Sequence, residues 1–154
     1  MGNELIIQFK DFMGVGAGAV LAFAAIGSAL GTGVAGMAAI GAWKKAFAQN
    51  KQASFMLLAF VGAPLTQTIY GMIVMNKMAG FVSKGTYLWG IGIFCGMAMG
   101  MSAFMQGKAG AVASDAMGET GKGFGNYIVV LGVIETVALF VMAFCLGLLD
   151  KLAS

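Results

Sequence analysis

Residues 128–149 read IVVLGVIETVALFVMAFCLGLL, and they decide the architecture. At about 1.5 Å per residue the stretch extends roughly 33 Å, enough to cross the ~30 Å hydrocarbon core of a bilayer as one helix. Its only charge is Glu135, about 10 Å in from the start. An acidic side chain that deep is costly: insertion scales place Asp at a helix centre at about 3 kcal/mol, so an intramembrane carboxyl marks a functional site by default. The bland alternative is a protonated Glu satisfied by a neighbouring helix, and this stretch alone leaves both readings open.

The rest of the chain agrees with a membrane interior. Of 154 residues 60% are hydrophobic and 10% charged, and mean hydropathy is +0.90; no soluble domain of this size hides so much apolar surface. The nine cations are all lysine, scattered singly or in one pair, for a net charge of +3. They form no nucleic-acid stripe. Histidine is absent, and Cys95 and Cys145 both lie in apolar runs. That excludes a zinc pattern or a disulfide framework, and both cysteines read as small hydrophobes. The amino end, MGNELIIQFKD, mixes acidic residues with Lys and lacks a basic region with a cleavage site, so no signal peptide is expected; nor is a myristoylation motif complete.

Runs at residues 12–43, 53–76, 86–107 and 123–149, uncharged apart from Glu135, predict four transmembrane helices, at about 12–46, 53–78, 86–118 and 124–150. The first and third are longer than a membrane needs and are expected to project into water at their carboxyl ends. SALGTGVAGMAA (28–39) and SAFMQGKAGAVA (102–113) align without gaps and share six of twelve residues. APLTQTIYG (63–71) lies over LGVIETVAL (131–139), placing Gln67 opposite Glu135 and Thr68 opposite Thr136. The fold class is therefore an all-α membrane protein of two duplicated helical hairpins, 1–79 and 80–154. Small residues at four-residue spacing predict close packing of helices one and three, with Gly27, Gly31, Gly92, Gly96, Gly100, Ala103 and Gly107 at contacts. The thirteen methionines read as adaptable packing.

Inside the four runs the main polar side chains are Thr32, Thr66, Gln67, Thr68, Gln106, Glu135 and Thr136. Ala63, Thr66, Gln67 and Tyr70 share one helical face. Pro64 has no N–H, so the Phe60 carbonyl loses its donor and backbone oxygens around 60–63 are expected to turn toward a ligand. Where helices two, three and four meet, Thr66, Gln67, Gln106, the Ala63 carbonyl and Glu135 would form an all-oxygen cage with one negative charge. Such a cage suits a hard monovalent cation; a divalent ion would attract more carboxylates and a soft one would need Cys or His. The other open reading is a hydrogen-bonded network around a protonated Glu135.

The paired hairpins, PLTQTIYG (64–71), the Gln-Gly-Lys of 106–108 and VIETVALFV (133–141) together resemble the rotor-ring c subunit, also called subunit K, of V-type ATPases, in particular the bacterial sodium-translocating kind. The resemblance covers essentially the whole chain. It implies Na⁺ ligation by the Ala63 carbonyl, Thr66, Gln67, Gln106 and Glu135, with Tyr70 hydrogen-bonded to the carboxylate and Pro64 and Thr136 in support. It further implies a ring of identical subunits, a membrane stator subunit with an Arg facing Glu135, a central-stalk subunit, and a bacterial plasma membrane with the loops after helices one and three in the cytoplasm. The chain would be non-catalytic, ATP being hydrolysed by other subunits, and H⁺ would be the competitor or the alternative cargo. A small four-helix cation/drug exporter is a rival, but there the carboxylate would be expected in the first helix beside aromatic residues. A structural pore-forming subunit would explain the glycines and leave Glu135 without a purpose.

Overall fold

The computed structural model describes residues 2–82 and 88–153, and its regular structure is entirely helical among them. In chain order the elements are α1 (Gly2–Ala48), α2 (Leu57–Gly62), a 3₁₀ turn (Ala63–Leu65), α3 (Thr66–Val82), α4 (Trp89–Thr120) and α5 (Phe124–Ala153). Four spans are long and apolar enough to cross a membrane: Gly14–Ala48, Leu57–Val82, Trp89–Thr120 and Phe124–Leu152. The expected start of the third helix at residue 86 and the loop lysine at 84 lie outside the described residues.

Boundaries differ from the sequence expectation for physical reasons. Helix α1 starts ten residues before its uncharged run because Glu4, Lys10 and Asp11 end an apolar stretch without ending a helix, and Glu4 in the first turn favours the dipole. It stops where Asn50 adopts φ 55°, letting the Lys51 N–H donate back to Ala46 O at 2.9 Å, the αL termination usually given to glycine. Gly121, φ 66°, does the same for α4 by donating to Met117 O at 2.8 Å. Residues 51–54 stay outside the second span, held where the Trp43 indole N–H donates to Ser54 O at 2.8 Å. Pro64 breaks that span into α2 and α3 through the 3₁₀ turn, as its missing N–H requires.

Helices α1 and α4 run parallel with their backbones in contact. A Cβ built on Gly27 would fall on the Gly100 backbone, one on Gly92 on Gly16, and one on Gly107 on Gly31. These glycines therefore face one another. The pairs are separated by nearly the offset that relates the two repeats, so the duplication and the packing share one register.

Two apolar clusters stack along the bundle. One contains Val20, Ala24, Val74, Met78, Met99, Ala138 and Leu149; the other, toward the loops after α1 and α4, contains Ala39, Leu57, Phe60, Ala113, Met117 and Leu131. On α3, α4 and α5 the residues between them are Gln67, Gln106 and Glu135, so the polar atoms occupy a layer between two dry ones. Ion pairs mark the ends: Lys45 Nζ lies 2.9 Å from Asp115 and 3.2 Å from Glu119, and Lys77 pairs with Asp150. These exposed pairs contribute little stability each. Cys95 and Cys145, expected as separate small hydrophobes, are disulfide-bonded and join α4 to α5.

Candidate functional site

The polar layer is a continuous chain of contacts that begins at the helix break. Because Pro64 forces a 3₁₀ turn, the Ala63 carbonyl accepts the Thr66 backbone N–H and lies 3.0 Å from Thr66 Oγ1. The same hydroxyl lies 3.1 Å from Gln67 Oε1. One hydroxyl proton thus faces two acceptors, and three oxygens converge with a single hydroxyl hydrogen among them. Gln67 is fully buried, and its Nε2 donates to Gln106 Oε1 at 2.8 Å.

Gln106, also fully buried, connects the oxygen cluster to the acid. Its Nε2 donates to Leu131 O at 3.0 Å and to Glu135 Oε2 at 3.2 Å. The other carboxyl oxygen, Oε1, accepts the Tyr70 hydroxyl at 2.6 Å. Glu135 is half-buried, and among the described residues no cationic side chain pairs with it. Its two oxygens are met by one hydroxyl and one amide.

The structure therefore brings Ala63, Pro64, Thr66, Gln67, Tyr70, Gln106 and Glu135 into one layer. It leaves out Thr136, whose hydroxyl donates to Val133 O of its own helix at 2.7 Å. The Phe60 carbonyl also differs from expectation: it faces the α4 backbone, 2.8 Å from where a Cβ on Gly110 would stand. Sequence reasoning missed Ser102, whose hydroxyl donates to Ile134 O at 2.9 Å and holds α5 against α4 beside the acid. Ser102 opens the second repeat one helical turn before Gln106, but that position alone does not give its partner.

The two halves of the duplication are not equivalent. Ser28 and Thr32 are the repeat counterparts of Ser102 and Gln106, yet their buried hydroxyls have no hydrogen-bond partner among the described residues. With Gln67 opposite Glu135, the first hairpin lacks both the acid and the bonds that would orient one. Among the described residues one carboxylate, Glu135, thus joins this layer. A cavity of about 530 Å³ opens elsewhere, at the loop end among Trp43, Lys45, Leu57 and Glu119, and takes no part in this layer.

Residues 89–148, which include Gln106 and Glu135, match the family model for the ATP synthase C subunit. Over 129 residues the chain is 31% identical to the A-type ATP synthase subunit K of Methanocaldococcus jannaschii, an alignment covering 82% of this chain and 56% of the relative. The aligned part is thus a little over half of that relative's length.

Proposed function

We propose that the chain, which matches the ATP synthase C subunit model over residues 89–148 and a subunit K at 31% identity, is a rotor-ring subunit of a V/A-type ATPase that carries Na⁺ across a bacterial plasma membrane on Glu135. The observation that carries the choice of ion is the convergence of Ala63 O, Thr66 Oγ1 and Gln67 Oε1 around one hydroxyl proton. A proton carrier has no use for three neutral oxygens beside its acid. With Gln106 turned so that its amide oxygen faces Glu135, the set reaches about five oxygens, a number suited to a hard monovalent cation.

In this reading Na⁺ neutralises Glu135 and lets the site pass lipid, whereas a bare carboxylate is held back by its desolvation cost. A stator arginine would hold the empty site while ions exchange. Each ion crossing against 100 mV needs about 2.3 kcal/mol, which this chain has no nucleotide-binding loop to supply; ATP hydrolysis on other subunits, transmitted through a central stalk, would do so. Identical subunits would form the ring. H⁺ is the second reading, favoured by one observation: Gln106 presents its N–H to Glu135 and closes an uninterrupted hydrogen-bonded chain.

Substituting Glu135→Gln tests the carrier role for either ion. The amide keeps its size and accepts from Tyr70, so the complex should assemble, while ion uptake by reconstituted vesicles should fall to background. Uptake that survives in an assembled complex contradicts the proposal.

A further inference from the structure

One buried hydroxyl beside the polar layer is unexplained by the ion site as described. Ser28 is 1% exposed, and its Oγ has no hydrogen-bond partner among the described residues. A hydroxyl inside a helix can bond to its own preceding turn, as that of Thr120 does to Ala116 O at 2.8 Å. The Ser28 hydroxyl does not. Its side chain is covered by this chain alone, so its burial does not depend on what surrounds the bundle.

The packing of α1 against α3 shows what Ser28 faces. A Cβ built on Gly31 would lie 3.1 Å from the Pro64 Cβ, and one built on Gly71 would lie 2.8 Å from the Ala24 Cβ. These contacts make the two helices antiparallel, so each step forward on α1 is a step back on α3, and Ser28 falls level with Gln67. Ala24 and Ser28 share a face at four-residue spacing. The face that meets Gly71 at Ala24 therefore meets Gln67 one turn further on. Thr32, the other unpartnered hydroxyl of α1, falls level with Ala63.

Gln67 has a use for such an acceptor. As packed, its Nε2 donates to Gln106 Oε1 at 2.8 Å, while its own Oε1 lies 3.1 Å from Thr66 Oγ1. Cation ligation by both amides, the reading on which this inference rests, turns the Gln106 oxygen toward Glu135 and brings the Gln106 amide N–H to where that oxygen was. Two amide donors then meet. Gln67 cannot answer by turning over, because that would take its Oε1 away from the Ala63 and Thr66 oxygens. A buried N–H left without an acceptor is costly, and Ser28 Oγ is an unpartnered acceptor at the same level. We propose that Ser28 is a positioning residue of the ion site: its hydroxyl accepts the Gln67 N–H in the cation-loaded layer and so holds Gln67 Oε1 toward the cation. Each ion bound exchanges the Gln67–Gln106 bond for a Gln67–Ser28 bond. The first hairpin, which has no acid in this layer, contributes that acceptor.

The test follows labelling of Glu135 by dicyclohexylcarbodiimide, in the complete complex, across a series of Na⁺ concentrations. Ser28→Ala should raise the Na⁺ concentration that halves labelling about tenfold, the ratio expected for one hydrogen bond lost in a buried site. Labelling without Na⁺ should keep its rate, since Gln106 then takes the Gln67 N–H. Thr32→Val removes the other unpartnered hydroxyl and should shift nothing. In a structure of the unmodified complex at saturating Na⁺, Ser28 Oγ should lie within about 3.2 Å of Gln67 Nε2. An unshifted Na⁺ series in Ser28→Ala, with the unmodified complex protected, would overturn the role of Ser28 and leave the sodium reading standing. No protection in the unmodified complex would overturn both. An equal shift from Thr32→Val, or a loaded structure with Ser28 out of hydrogen-bond reach of Gln67, would also overturn the proposal.

Discussion

At the scale of single residues, the acid and the oxygen cluster are separable. Thr66 contributes one hydroxyl, which touches Ala63 O and Gln67 Oε1 and has no direct bond to Glu135. Thr66→Val keeps the shape and removes that oxygen. If the cluster binds the cation, this change should raise the Na⁺ concentration needed to occupy the site about tenfold, equivalent to about 1.4 kcal/mol, and leave the reactivity of Glu135 without Na⁺ unchanged. If the cluster only satisfies its own polar groups, Na⁺ dependence should not move. The residues of this layer were legible because a carboxylate or amide in a charge-free run stands out against its neighbours. Ser102 was not, since its partner is a backbone carbonyl that only the packed bundle brings near. Thr136 stood out for the wrong reason: a threonine inside a helix can satisfy itself on its own preceding turn.

Between elements, the α1/α4 contact is the firmest constraint, because it is made by backbone. Gly27→Ala or Gly107→Ala puts a methyl group against the facing glycine's backbone, and neither helix has a flexible side chain there to yield. Both variants should lose most of the folded, membrane-inserted protein. Gly33→Ala, whose Cβ would meet nothing within 4 Å, should lose none; equal yields from all three would contradict the packing. The four spans and their pairing were readable because glycine spacing and the repeat offset are both linear patterns. The break at Pro64 was readable for the same reason, but its outcome was not: which carbonyl is freed follows from the missing N–H, while its direction depends on α4, where Gly110 leaves room for Phe60 O. The Cys95–Cys145 bond was hidden likewise, since it depends on how α4 and α5 align.

For the molecule as a whole, each transmembrane span exposes apolar side chains, and in the proposed ring copies of the chain and lipid would cover them. The ring isolated in mild detergent should therefore weigh a whole-number multiple of 15.8 kDa well above a dimer, the state expected of a small exporter. On the proposed reading, what moves through such a complex is decided at Glu135. Dicyclohexylcarbodiimide modifies the protonated carboxyl, so an ion bound there protects it. In the assembled complex, millimolar Na⁺ should slow labelling of Glu135, K⁺ should not, and protection should weaken as pH falls, because protons and Na⁺ compete for one carboxylate. Labelling indifferent to Na⁺ from pH 6 to 8 would contradict the sodium cage and leave the layer as a hydrogen-bonded support for a proton.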